Sequence, residues 1–147
     1  MAGLGLASPA LVVNDALVAL AAGVGDGPGV LVGAGTGSMA YGRDSSGRAA
    51  RAGGWGYLLG DEGSGFWMGR AALSAVVRAF DGRGPSTQLT GLILREMKVD
   101  SPAKLIREIY YRDVHRQVVS GLAALVGQAA DRGDAVSAEI LTRAGAE

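Results

Sequence analysis

Three short segments of this 147-residue chain combine residue types that can do chemistry at close spacing. Asp15 follows the apolar run Ala10–Asn14 (Ala-Leu-Val-Val-Asn). A carboxylate just past an apolar strand sits where α/β proteins gather catalytic groups, and it can equally cap the next helix. Gly35-Thr36-Gly37-Ser38 comes after a second apolar run, Val30–Val32. Glycines there let bare backbone N–H groups approach anionic oxygens, as in a phosphate loop. The third segment, Gly54-Trp55-Gly56 with Asp61-Glu62, suits a polyol. An indole offers an apolar face, and carboxylate oxygens accept from neighbouring hydroxyls.

Each segment also has a plain structural reading. Gly33–Ser38 lacks the lysine of a P-loop and the third glycine of a dinucleotide fingerprint, and Met39-Ala40-Tyr41 after it reads as a strand. A glycine hairpin without a ligand fits the same pattern. Trp55 can anchor its loop to the core, and Asp61-Glu62 can open a helix, where negative charge is favoured. Trp67 reads as core. His115 is the one histidine, and there is no cysteine, so a histidine-rich or thiolate metal site is excluded. No Gly-x-Ser-x-Gly elbow supports a Ser–His hydrolase. Arg107, Arg112 and Arg116 read as a solvated face.

The elements that must position these residues emerge from periodicity and turn chemistry. Ala10–Asn14 reads as a buried strand and Ala16–Gly23 as a helix, with a turn over Gly25–Gly29. Val30–Val32, Met39–Tyr41 and Ala49–Ala52 form a strand meander. Its connections are too short for crossovers, so it is antiparallel. Gly53–Ser64 is a loop. A helix over Gly65–Phe80 places Phe66, Gly69, Leu73, Val76, Val77 and Phe80 near one face. Ser86 or Thr87 caps a helix running to Met97. Ser101-Pro102 opens another that ends near Tyr111. Helices over Val114–Ala130 and Ala135–Ala144 complete the chain.

Composition narrows the functions open to it. Lys plus Arg and Asp plus Glu are 14 each, so the net charge is zero and nothing favours nucleic acid or an anionic membrane. With 48% apolar residues the chain can build a core. No apolar run reaches the ~20 residues of a membrane helix, and no basic start marks a secretory signal, so the expected location is cytoplasmic. Residues 1–70 hold 18 of the 25 glycines, which makes the first half turns and tight backbone and the second half helix.

Val12-Val13-Asn14-Asp15-Ala16, then Gly35-Thr36-Gly37-Ser38, then Gly53-Gly54-Trp55-Gly56-x-x-x-Gly60-Asp61-Glu62-Gly63-Ser64 occur in one order. This arrangement resembles the N-acetylglucosamine kinase and BadF/BadG/BcrA/BcrD ATPase family, from about Leu11 to the end. The resemblance implies an α/β fold: a fragment of a ribonuclease H-like lobe of the ASKHA superfamily, an antiparallel β-meander followed by a helical half. It implies that Asp15 binds the sugar and acts as catalytic base. It implies that Gly35, Thr36 and Gly37 contact ATP, and that Gly54, Trp55, Gly56 and Asp61 bind the sugar. ATP and Mg²⁺ are the implied cofactors. The family's leading Asp-Gly-Gly-Gly-Thr phosphate loop and its adenosine-contacting glycine motif have no counterpart here. Residues 1–28 therefore correspond to the end of a small lobe and 29–147 to the first part of a large lobe.

The expected function is ATP-dependent phosphorylation of an amino-sugar hydroxyl, with the isolated chain inactive or nearly so. Two alternatives stay open: an ATPase activator of a CoA-linked dehydratase or reductase, and a non-catalytic sugar-binding fragment. The expected partners are an amino sugar and ATP, with no nucleic acid or membrane, and a homodimer is possible because a partial lobe leaves strand edges and apolar surface open.

Overall fold

The computed structural model describes residues 15–111 and 116–147. The proposed strand at Ala10–Asn14 lies outside the described residues, as do Arg112 and His115. Helix α1 spans Asp15–Val24, and strands β1 (Gly29–Ala34), β2 (Ser38–Arg43) and β3 (Ala49–Gly53) form one antiparallel sheet in the order β1-β2-β3. Then come α2 (Gly65–Phe80), α3 (Leu89–Glu96), a 3₁₀ turn over Pro102–Lys104, α4 (Leu105–Tyr111), α5 (Arg116–Gly121), α6 (Ala123–Asp131) and α7 (Ala135–Ala146). The meander and the helical half are as expected.

The chain divides into two compact units. The first holds α1 and residues 29–32, 40–43 and 49–52 of the strands. In it Ala16 and Leu20 are buried, and Arg43 Nη2 and Nε donate to the Gly27 carbonyl at 2.9 and 3.2 Å, fastening the turn after α1. The second unit takes the hairpin tip, residues 33–39, together with 53–147. Its core gathers Ala72 and Val76 from α2, Leu89 and Ile93 from α3, Leu105, Leu122, Val126 and Ile140. Burying each of the larger side chains contributes about 1.5–3 kcal/mol.

Helix α2 has the expected bounds, with Ser64 as its N-cap accepting from Trp67 N at 3.2 Å. Its buried stripe differs from the expected one. Gly69, Ala72 and Val76 are buried, whereas Phe80 is 60% exposed. The stripe is set by α5, which comes so close that a methyl group on Gly69 would overlap the Val119 carbonyl oxygen. Trp67 packs on the core from its edge, as expected.

The helix expected over Val114–Ala130 is two helices. Leu122 N–H reaches back to the Val119 carbonyl at 3.1 Å, a tight i→i+3 turn that carries the Leu122 side chain into the core. The N-cap of α3 is Gln88, which makes no side-chain cap, and not the expected Ser86 or Thr87; Thr87, one residue earlier, accepts from Leu89 N on its hydroxyl at 3.1 Å. Ser101 makes no side-chain cap; the proline-led 3₁₀ turn opens α4 instead. Among the described residues, no helix is long and apolar enough to cross a membrane.

Candidate functional site

The second unit assembles its site around the hairpin tip between β1 and β2. Gly35 N–H closes the tip onto the Gly37 carbonyl at 2.8 Å. The carbonyls of Gly35 and Thr36 accept from Gly65 N at 2.8 Å and Phe66 N at 3.3 Å, in the first turn of α2. Ser64 takes the next two donors, Trp67 N on its hydroxyl and Met68 N on its carbonyl. A helix normally leaves its first four N–H groups unsatisfied. The Met68 bond is the first regular one of the helix; the four orphans are the N–H groups of Ser64, which donates to the Asp61 carbonyl at 3.2 Å, Gly65, Phe66 and Trp67, and all are used inside the protein, so the helix end offers no donors to an anion. Among the described hydrogen bonds, the N–H groups of Thr36 and Gly37 have no partner, and Thr36 is exposed. These are the donors a phosphate oxygen could reach.

Ser38 ties the tip to the loop after β3. Its N–H donates to Asp61 Oδ1 at 3.2 Å, its hydroxyl to the Glu62 carbonyl at 2.6 Å, and its carbonyl accepts from Gly54 N at 2.9 Å. Gly53 and Gly54 both stand at φ +71, which lets the chain leave β3 against the Met39 backbone and side chain. Asp61 is 3% exposed and itself holds a left-handed conformation, φ +61, uncommon for a residue with a side chain. That turn points its carboxylate back at Ser38. On the other side of the loop, a methyl group on Gly63 would overlap the Ala144 carbonyl oxygen and stand 3.7 Å from Glu147 Cβ, so α7 presses directly on the loop.

Arg116, at the start of α5, donates from Nη2 to Asp61 Oδ2. Its guanidinium lies 5.5 Å from the Tyr57 ring centre and 5.9 Å from that of Phe66, two rings packed 4.9 Å apart. Arg116 is therefore part of the site, not of the solvated face expected from its neighbours Arg107 and Arg112. The pair leaves no space at Gly37, where a methyl group would stand 2.7 Å from both Arg116 Nη2 and Asp61 Oδ1. Ser38 and Arg116 are the members that sequence reasoning missed. Ser38 is visible in the sequence only as the last residue of the glycine segment, and Arg116 has no local signal at all.

The structure brings Gly35, Thr36, Gly37, Gly54, Trp55, Gly56 and Asp61 together in one unit. Trp55 is 65% exposed on the loop. Gly56 accepts from Gly60 N at 2.8 Å, folding the loop back on itself. Asp15 belongs to the other unit. It is exposed in the first turn of α1, where its Oδ1 accepts from the next residue's N–H, Ala16 N, at 2.8 Å. A cleft of 720 Å³ between α2 and α7, lined by Arg70, Arg78, Arg83, Arg143 and Glu139, contains none of these residues.

The likeness to known proteins is extensive. The chain is 44% identical over 144 residues to the N-acetylmuramic acid/N-acetylglucosamine kinase of Clostridium acetobutylicum, covering 98% of this chain and 47% of that protein. It is 38% identical over 133 residues to the N-acetyl-D-glucosamine kinase of Dictyostelium discoideum, covering 89% of this chain and 42% of that one. The chain thus spans about half the length of the curated relatives it matches. A crystal structure assigned as an N-acetylglucosamine kinase of Chromobacterium violaceum superposes with a TM-score of 0.75 at 35% identity, over 88% of this chain and 44% of that one. A second, from Porphyromonas gingivalis, gives 0.61 at 27% identity, over 80% and 39%. The sequence profile of the BadF/BadG/BcrA/BcrD ATPase family matches residues 6–147, and the chain belongs to that family.

Proposed function

We propose that this chain is part of an ATP-dependent amino-sugar kinase and that its second unit binds the sugar. The observation that carries the reading is the junction at Ser38. A buried carboxylate, Asp61, is held one residue from a hairpin tip with two unpartnered N–H groups. A sugar hydroxyl and a phosphate oxygen can be served from neighbouring points of one rigid turn. In this reading Asp61 accepts from sugar hydroxyls, Trp55 lies along the apolar face of the ring, and Gly54 and Gly56 let the loop backbone approach it. Gly35, Thr36 and Gly37 contact the ATP phosphates. Asp15 binds the acceptor hydroxyl and removes its proton as the γ-phosphoryl group arrives. Phosphoryl transfer is mostly positioning and charge stabilisation, so this small set of groups suits it. The relatives' names support an N-acetylated amino sugar, and the Clostridium protein's name includes the muramic acid form.

The lobe assignment, 1–28 to a small lobe and 29–147 to a large one, belongs to the same proposal. So does its consequence that the chain alone binds sugar and transfers phosphate slowly or not at all. Magnesium is implied by the family. Among the described residues no three His, Cys, Asp or Glu side chains gather where a cation could sit, so no step is assigned to a protein-held metal.

Calorimetric titration of the purified chain with N-acetylglucosamine tests the reading. Binding is expected, and Asp61→Asn is expected to lose it while keeping the far-ultraviolet spectrum of the wild type. An absence of sugar binding by the wild-type chain overturns it. A coupled assay with ATP then separates binding from turnover: sugar-dependent ADP release that disappears in Asp15→Asn would show that the chain alone is active.

A further inference from the structure

We infer that the cleft between α2 and α7 is a second ligand site, for a small molecule that carries a phosphate at each end. It contains none of the residues proposed to touch sugar or ATP, and the inference does not depend on the amino-sugar reading.

Positive charge is concentrated here. The chain as a whole is neutral, with 14 basic and 14 acidic side chains. Arg70, Arg78, Arg83 and Arg143 line this one cleft, against a single acid, Glu139. Among the described residues, Arg70, Arg78 and Arg143 have no carboxylate partner and Glu139 has no cation. These three arginines are exposed, so a ligand can reach them.

Helical spacing fixes where the charges stand. Trp67, Arg70, Ser74 and Arg78 follow one another at intervals of three and four residues and share one face of α2. Arg70 and Arg78 are therefore about 12 Å apart along the helix axis. Arg143 of α7 joins the first end, its guanidinium 5.3 Å from the centre of the Trp67 ring, which holds its plane. At the other end Arg78 Nη2 donates to the Arg83 carbonyl at 3.3 Å, and Arg83 is itself fastened to Asp81. Ala71, Ser74 and Ala75 are small and leave the middle open. The result is a trough with guanidinium groups at either end.

Size and lining select the class of ligand. A volume of 720 Å³ is that of a small-molecule site. Protein partners anchor on exposed apolar and aromatic side chains, and none of the large exposed hydrophobics among the described residues lines this cleft. Helical walls have no free backbone donors, so recognition falls to the side chains. A guanidinium pairs with a phosphate through two parallel hydrogen bonds. A phosphate also brings three acceptor oxygens and up to two charges, enough for the paired arginines at each end, where a carboxylate is not. The Ser74 hydroxyl is left for polar groups between the phosphates.

Calorimetric titration of the 147-residue chain compares fructose bisphosphate, with a phosphate at each end, fructose phosphate, with one, and fructose. One-site binding of the bisphosphate is expected, with a Kd at least about tenfold below that of the monophosphate and rising with salt, and no binding of fructose. Replacing one arginine at each end, Arg78→Gln together with Arg143→Gln, is expected to weaken the bisphosphate at least about tenfold. Both side chains are exposed, so the far-ultraviolet spectrum is expected to stay that of the wild type. Glu139→Gln is a second, independent check: it removes the one acid that repels the ligand and is expected to tighten binding a few-fold. No binding of the bisphosphate overturns the inference, and so does equal affinity for bisphosphate and monophosphate. Full affinity in the double variant overturns it too, since the ligand then sits outside the cleft, as does a Glu139→Gln variant with unchanged affinity. None of these outcomes bears on the sugar titration, which reads a different site.

Discussion

Arg116 donates to Asp61 across 55 positions of sequence, and the two partners are unequal: the acid is buried and the base is partly in solvent. Truncating either side therefore has different consequences. Asp61→Ala removes an anion already held by Ser38 and leaves a half-buried cation, at a cost of about 1–3 kcal/mol. Arg116→Ala also loses the ring contacts. In a double-mutant cycle the coupling between them is expected near ~1 kcal/mol, because solvent screens the exposed partner. Urea midpoints of the four proteins measure it, and a coupling of zero would show that the pair contributes nothing to stability.

Gly37→Ala separates site from fold. The three atoms nearest the added methyl group are side-chain ends, Arg116 Nη2 and the two Asp61 carboxylate oxygens, which can swing away. The melting temperature is expected to move by no more than a few degrees, whereas sugar binding falls at least about tenfold because Asp61 is displaced. Retained affinity would mean that Asp61 does not contact the ligand.

Two glycines in the helical half predict opposite signs. Gly69→Ala drives a methyl group into the Val119 carbonyl, a rigid backbone atom, and overpacking of this kind costs about 1–3 kcal/mol or more. At Gly127, inside α6, the same methyl group meets nothing within 4 Å. Gly127→Ala is expected to stabilise by about 0.5–1 kcal/mol through helix propensity alone. Thermal melts of the two variants settle both signs.

Asp134 sets the acid limit of stability. It caps α7 and accepts from Gln88 N at 2.7 Å, Ser137 N and the Ser137 hydroxyl at 2.8 Å, and the Thr87 hydroxyl at 3.0 Å. Desolvation pushes its carboxyl up, and these hydrogen bonds outweigh that effect, holding it below the ordinary value of 3.8. A folded-state pKa below the unfolded one adds stability that is present above the unfolded value and is lost as pH falls through the folded one. Stability is thus expected to be level near neutral pH and to fall once pH drops below about 4. Asp134→Asn should cost about 1–3 kcal/mol at neutral pH and flatten that acid limb, as urea titrations at several pH values would reveal.

The hairpin, the loop and the bounds of α2 are legible in the sequence because glycine, proline and hydrophobic spacing mark them locally. Ser64 sits just before an amphipathic run, and the turns around Gly27 and Gly47 announce themselves. The break at Leu122 is not legible, since Ser120-Gly121-Leu122 fits a helix and only the demand of the core for Leu122 bends it. The phosphate-loop segment stands out by its glycines, but nothing in it signals that its own carbonyls occupy the N-terminus of α2. Arg116 reads as surface because its neighbours are charged. Its ion-pair partner, Asp61, lies in another element, beyond the reach of any local pattern.

The contact of α7 on Gly63 has a practical use. Glu147 lies against the loop that holds Asp61, and the sequence contains no cysteine. A Glu147→Cys variant therefore offers one thiol, and an environment-sensitive dye coupled to it would report the state of that loop as a change of colour. The end of the last helix is a ready attachment point for turning this polypeptide into an optical sensor.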